Sequence, residues 1–136
     1  MLKRLSHSGV AVLDQDSAKA FYTERLGLEV RSDETLDGFR WLTVGSPTQP
    51  DFEFLLLEPG PPMHDEETGQ QIRSLVAKGA MGGGVWETDD CRATYQELSA
   101  KGVIFLQEPS ERPYGIEAVF RDDSGNWFSL TQRRSP

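Results

Sequence analysis

The chain states nearly the same segment twice, about 75 residues apart, and this repetition limits its possible folds more than any other feature. Val10-Ala11-Val12-Leu13-Asp14 runs into Asp16-Ser17-Ala18-Lys19-Ala20-Phe21-Tyr22 and ends at Leu26-Gly27-Leu28. Val85-Trp86-Glu87-Thr88-Asp89-Asp90 runs into Cys91-Arg92-Ala93-Thr94-Tyr95 and ends at Lys101-Gly102-Val103. Each copy reads as strand, capped helix, glycine, strand. The aspartates offer oxygens to the free N–H groups of a helix start, and the glycines accept the left-handed turn that ends one. Two copies of ~60–70 residues are too few for a solenoid. They predict two half-sheets related by a pseudo-dyad, with function on the strand faces that enclose a cavity between them.

The pattern predicts a first strand over residues 6–13, then a helix capped by Asp14 or Asp16 and running through Arg25. Ala18, Phe21 and Tyr22 make its apolar stripe. Strands follow at 28–32, 39–44 and 52–57, and a short connecting helix spans 68–78. The second half repeats the order: a strand at 82–88, a helix capped by Asp89 or Asp90 and reaching Ala100, and a strand at 103–107. A loop containing Arg112-Pro113-Tyr114-Gly115 then leads to a hairpin of 116–121 with 127–132. Its turn, Asp122-Asp123-Ser124-Gly125-Asn126, is rich in residues that tolerate turn conformations. Each half is βαβββ, which makes the fold class α+β. At 136 residues the chain is a single domain by length, with module one at 1–60, a connector at 61–80 and module two at 81–136.

Twenty-two acidic residues against 14 basic ones give a net charge of −8, which disfavours nucleic acid or an anionic membrane as partner. No apolar run approaches the ~18 residues of a spanning helix. Residues 1–8 carry Lys3 and Arg4 but no apolar segment of a secretory signal behind them. Cys91 is the only cysteine, so no internal disulfide forms, and the expected location is cytoplasmic. A thiol at a helix start is open to activation by the helix dipole. Two preceding aspartates oppose that effect, and the helical spacing puts Cys91 on the apolar face, so a buried structural cysteine is expected.

Asp14-x-Asp16, Ala20-Phe21-Tyr22 and Leu26-Gly27-Leu28, together with Pro113-Tyr114-Gly115, Phe120-Arg121-Asp122 and Gly125-Asn126, resemble the vicinal oxygen chelate superfamily. That group includes glyoxalase I, extradiol dioxygenases, fosfomycin-resistance enzymes and bleomycin-resistance proteins. The resemblance spans essentially the whole chain and implies two paired βαβββ modules that form a half-open barrel around a cavity. In enzymatic members it implies a divalent metal on four side chains, one from the first and one from the last strand of each module. Such a metal polarises a substrate's adjacent oxygens. Carried over, the module-one first-strand ligand falls on His7, but the other three positions fall on Leu55, Gly83 and Ser129. One imidazole does not hold such a metal without further protein ligands, so the resemblance implies no metal and no other cofactor here. A displaced set drawn from Glu53, Glu58, His64 and Gln132 is the open alternative. Strand alternation puts Glu53 on the inward face and Gln132 on the face opposite Ser129.

The same alternation turns His7, Gly9 and Ala11 inward, with Trp41, Thr43, Glu53, Leu55 and Leu57, and from module two Gly83, Val85, Glu87, Glu117, Val119, Arg121, Trp127, Ser129 and Thr131. The candidate ligand-binding set is Trp41, Glu53, Leu55, Glu87, Glu117, Val119, Arg121, Trp127 and Ser129. Trp41 and Trp127 are plates for a planar or cationic ligand, worth about 0.5–2 kcal/mol per cation–π contact. The expected function is metal-independent binding of a small molecule, of the bleomycin-resistance type. The resemblance implies a homodimer, because small members of the superfamily commonly complete their pockets with a second chain. The alternative is a glyoxalase-like lyase or dioxygenase, with a non-standard metal site or with His7 as general base partnered by Glu53 or Glu117.

Overall fold

Three aspartates decide where the helices begin. In the computed structural model, which describes residues 1–134, Asp14, Asp65 and Asp90 each accept a hydrogen bond from the backbone N–H three residues on, at 2.9, 2.7 and 3.0 Å. They open α1 (Gln15–Ala20), α2 (Glu66–Ala77) and α3 (Cys91–Ala100). The helix expected to reach Arg25 is divided, because beyond Ala20 the chain widens into a π-helical turn, Phe21–Arg25. Leu26 N–H closes it on the Phe21 carbonyl at 3.2 Å. The turn reconciles the two copies. The caps Asp14 and Asp90 lie 76 residues apart, while Gly27 and Gly102, left-handed at φ +75° and +89°, lie 75 apart. Module one has one extra residue in this stretch, and the wider turn absorbs it.

Strands β1 (His7–Ala11), β2 (Glu29–Leu36), β3 (Phe39–Gly45) and β4 (Glu53–Leu57) form one sheet in the order β1-β4-β3-β2. Strands β5 (Gly82–Glu87), β6 (Ile104–Arg112), β7 (Gly115–Arg121) and β8 (Trp127–Arg133) form the other in the order β5-β8-β7-β6. In each sheet the first strand runs parallel to the last and the other pairs are antiparallel. The predicted pair of βαβββ modules is therefore present. Two strands outrun their predicted ends. β2 continues through Asp33, a residue that reads as loop, because Lys19 and Arg40 bind its carboxylate at 2.8–2.9 Å. Hydrogen bonds from Arg40 and then Lys19 hold that carboxyl well below its usual range. β6 continues through Pro109, which an edge strand tolerates because its outward N–H has no ladder partner to lose.

The even-numbered sides of both sheets meet in one interior. Leu42, Val44, Phe54 and Leu56 from the first sheet, and Ala118, Phe120, Phe128 and Leu130 from the second, cluster with Ala18, Phe21, Tyr22, Cys91 and Leu98 from the helical segments. The Phe54 ring lies 6.0 Å from Phe128 and 5.2 Å from Trp86, and Tyr22 meets Phe128 edge-on at 6.4 Å. Each large side chain buried this way contributes about 1.5–3 kcal/mol. Polar contacts lock the seam. Tyr22 donates from its hydroxyl to Asp122 Oδ2 at 2.6 Å. The other oxygen of Asp122, Oδ1, accepts the N–H groups of Ser124, Gly125 and Asn126, each at 2.9 Å. Asn126 Nδ2 reaches across to the Ala11 carbonyl at 2.8 Å, and Ser124 Oγ accepts Leu13 N–H at 2.9 Å. Burial, and then the Asp122 charge, push the Tyr22 phenol well above its ordinary pKa. α2 clamps the same seam: Arg73 donates to the Leu13 carbonyl at 3.0 Å, and Gly125 packs so closely that a Cβ there would lie 2.3 Å from Val76 O.

This shared interior has a consequence for the expected cavity. The odd-numbered sides of β1, β3, β4, β7 and β8 face away from the common core, while bulges in β2 and β6 shift the alternation there. Within one chain the expected cavity residues therefore stand on two separate surfaces. A second departure is local. The β5–β8 register slips between Gly82 and Gly84, which turns Gly83 off the odd side. A Cβ on Gly83 would lie 2.1 Å from the Phe128 ring. Gly9 answers to a similar constraint, since a Cβ there would lie 2.0 Å from Leu55 O. Both glycines are set by close packing, and neither leaves room for a ligand.

Tyr22→Phe is expected to cost about 1–3 kcal/mol, because Asp122 loses a buried donor; urea unfolding reads this directly, and an unchanged midpoint would contradict the role given to the bond. Gly83→Ala drives a methyl into Phe128 and is expected to cost about 1–3 kcal/mol, whereas a thermal unfolding curve matching the unsubstituted protein would show that the ring yields freely.

Candidate functional site

The outward face of the first sheet gathers His7 (β1), Trp41 and Thr43 (β3), and Glu53 and Leu55 (β4). Cross-strand pairing sets them side by side: His7 with Glu53, Gly9 with Leu55, and Leu55 with Thr43. Thr43 donates to Glu53 Oε1 at 2.6 Å. His7 Nε2 lies 3.4 Å from Glu53 Oε2, and its Nδ1 is 2.8 Å from Ser6 Oγ. The imidazole also sits 6.0 Å from the Trp41 ring, tilted by 50°. Trp41 is 37% exposed although it belongs to a central strand, so this face has an open aromatic plate beside a hydrogen-bonded carboxylate. β2 adds Ser32 and Glu34, cross-strand partners of Thr43 and Trp41. The sequence reading included neither in the inward-facing set, and its strand, ending at Ser32, stopped short of Glu34.

The outward face of the second sheet is an open depression of about 580 Å³ lined by Val85, Glu87, Tyr114, Glu117, Ser129, Thr131 and Arg133. Glu117 (β7) stands opposite Thr131 (β8), and Val119 opposite Ser129. Tyr114 donates to Glu117 Oε1 at 2.7 Å and Ser129 donates to Oε2 at 2.6 Å. Ser129 and Thr131 are 2.7 Å apart. The Ser129 and Tyr114 hydroxyls, with Arg112 Nε at 3.7 Å, hold the Glu117 carboxyl below its ordinary range. Conversely, the carboxylate pushes the Tyr114 phenol up. Glu87 pairs with Arg133 at 3.8 Å. Ile104 and Leu106 on β6 are exposed, at 50% and 59%. Sequence reasoning passed over these two, and it placed Tyr114 in a loop with no partner. The signal was available: a tyrosine three residues before a glutamate, astride a two-residue hairpin turn, brings the two side chains together.

The structure does not bring every expected residue to these faces. Arg121 lines a different cleft of about 240 Å³ at the module seam, with Phe21, Glu24, Arg25 and Ile104. Trp127, 41% exposed, packs over Gly82, where a Cβ would lie 2.6 Å from its ring. No contact links Trp127 with Trp41 among the described residues. Cys91 is buried, as expected; its thiol lies 3.5 Å from the Leu130 carbonyl, and burial pushes its pKa up.

The four-ligand metal set implied by the resemblance does not fit these residues. Leu55 offers no donor atom, Phe128 fills the space beside Gly83, and the Ser129 hydroxyl is committed to Glu117. The displaced set fares no better: Gln132 Oε1 accepts the Cys91 N–H at 3.0 Å, and Glu58 binds Gln15 N–H and Arg73. Among the described residues no group of three or more His, Cys, Asp or Glu side chains is placed to hold a metal. No helix among them is long and apolar enough to cross a membrane.

This architecture has known relatives. The chain is 36% identical over 126 residues to YurT, an uncharacterized protein of Bacillus subtilis (strain 168), covering 93% of this chain and 96% of that one. It is 30% identical to YetH of the same strain, covering 97% and 100%. Among solved structures it is similar to UcmS2, at 58% identity and a TM-score of 0.92 over 97% and 99% of the two chains. It is also similar to TnmS3, described as an antibiotic binding protein from Streptomyces sp. CB03234, at 28% identity and a TM-score of 0.78 over 98% of each. The family model for the Glyoxalase/Bleomycin resistance protein/Dioxygenase superfamily matches residues 4–130, and the chain belongs to that superfamily.

Proposed function

We propose that this protein is a metal-independent small-molecule-binding protein that sequesters a cationic or planar ligand in the cytoplasm. The observation that carries this reading is the pair of open, hydrogen-bonded faces, each with a carboxylate held by a hydroxyl donor. Glu53 lies beside the Trp41 plate, and Glu117 lies in the floor of the second face. A pocket for a small molecule needs two walls with a few polar groups, and one face supplies one wall. In this reading a homodimer sets the first face of one copy against the second face of another, giving two equivalent pockets. Val85, 69% exposed on β5, and the free edges of β1 and β5 then have something to cover them. The description of TnmS3 as an antibiotic binding protein points the same way.

The His7–Glu53 contact favours the second reading, a catalyst with His7 as general base. That version requires His7→Ala to abolish turnover of a substrate while leaving the fold intact.

Calorimetric titration with proflavine, a flat amphipathic cation, is expected to show binding well below millimolar that survives prior treatment with EDTA. Trp41→Ala is expected to weaken it by about 3–30-fold, the loss of one cation–π contact. No heat of binding up to millimolar dye, or binding that a chelator removes, would overturn the proposal.

A further inference from the structure

The cleft at the module seam gathers charges of both signs that do not meet. Residues spaced by three and four along α1 and its π-helical turn, from Ser17 to Arg25, face module two across about 240 Å³. The Arg25 guanidinium lies inside this cleft: its Nη1 donates to the Gly102 carbonyl at 3.4 Å, and its Cζ is 5.9 Å from the centre of the Phe21 ring. Arg121 borders it from the last position of β7. In the turn that follows, Asp123 accepts the Ser17 hydroxyl at 2.7 Å, and Glu24 adds a second carboxylate from the π-helical turn. Among the described residues, Arg25, Arg121, Glu24 and Asp123 form no ion pair within 4.0 Å. Arg31, Arg40 and Arg73, by contrast, each have a carboxylate at 2.6–3.2 Å. Burial, and then the charges of Asp122 and Asp14, push the Asp123 carboxyl up against the pull of the Ser17 hydroxyl. Asp122 also borders the cleft, but its oxygens are taken by Tyr22, Asn126 and three backbone N–H groups.

Opposite charges held apart around one cleft are complementary to a ligand that carries both signs. We propose that this cleft is a ligand site, separate from the two outward faces, that takes a small zwitterion of the free α-amino acid class. The ligand carboxylate goes to Arg25 and Arg121, whose guanidiniums retain unspent N–H donors. Its ammonium goes to Asp123 and Glu24, which have lone pairs and no cation beside them. Its side chain lies along Ala20 and the exposed Ile104, so an apolar side chain gains contact there. A cation alone satisfies only half of this site, which sets it apart from the carboxylate-bearing faces.

Chemical-shift titration of the isotope-labelled, full-length protein tests this with leucine and two capped forms. Leucinamide keeps only the ammonium, and N-acetylleucine keeps only the carboxylate. Leucine is expected to shift the amide signals of Gly102 and Asp123 and to bind about threefold or more tightly than either capped form, the worth of one well-placed exposed charge pair. Arg121→Gln is expected to weaken leucine and N-acetylleucine by about threefold while leaving leucinamide as it was, and Asp123→Asn gives the mirror pattern. Leucine that binds no better than a capped form overturns the proposal, as does a preference that both folded variants keep undiminished. No shift at Gly102 or Asp123 with leucine at tens of millimolar overturns it too. If one variant does not fold, the other and the capped leucines decide. Saturating proflavine is expected to leave the leucine shifts in place; displacement of leucine by the dye would overturn a separate site. Failure of proflavine to bind removes the reading of the outward faces and leaves this site standing.

Discussion

The packing of Phe54 against Phe128, with Tyr22 edge-on to the latter, fixes the use of every other surface in this protein. A strand has two sides, and once one side of each sheet is buried in the common core, the other is left to face outward. The Tyr22–Asp122 bond and the turn it organises hold the two sheets in that relation. Asp122 satisfies three backbone donors of its own turn and one phenol of the other module, all within a buried setting. An unpaired carboxylate there would be costly. This connection therefore keeps the modules back to back, and the two open faces depend on it.

Those faces differ in chemistry while sharing a plan. Each has a carboxylate on an interior strand with a hydroxyl donating to it, Thr43 to Glu53 on one and Ser129 to Glu117 on the other. The first face adds an aromatic plate and an imidazole. The second adds a phenol, that of Tyr114. In the metal-binding version of this architecture a chelate would occupy the centre of such faces. Here hydroxyl–carboxylate pairs, a leucine and a close-packed glycine stand in those positions. The proposed pocket thus draws aromatic stacking from one wall and hydrogen-bond acceptance from the other.

Much of this was legible in the sequence, because it depends on local rules. The aspartate caps, the helix-ending glycines, the order of strands and the parity of residues along each strand follow from periodicity and turn chemistry. The burial of Cys91 followed from its place on an apolar stripe. Other features depend on contacts distant in sequence. Which side of each sheet the modules share is not written in either copy alone, and so the cavity was expected between modules of one chain. The slip at Gly83 arises because the Phe128 ring presses on β5, and alternation counted from Val85 misses it. β2 ran past its expected end because Lys19 and Arg40 neutralise Asp33, a pairing that exists only after the helix packs on the sheet. The extra residue of module one was hidden by the even offset of the glycines and shows only in the π-helical turn.

The central claim is that a complete pocket takes one wall from each of two copies. A mixed dimer tests it most directly. Leu55→Arg puts a cation on the first face and Val119→Arg puts one on the second, and two differently tagged chains carrying one substitution each are purified as a heterodimer. If walls are exchanged between copies, one pocket of that heterodimer contains both arginines and the other contains neither. The account then predicts one site of unaltered affinity for a cationic dye per mixed dimer, where either parent homodimer has none. A mixed dimer with no such site would contradict it, because walls that come from the same chain, or that pair like with like, leave an arginine in every pocket.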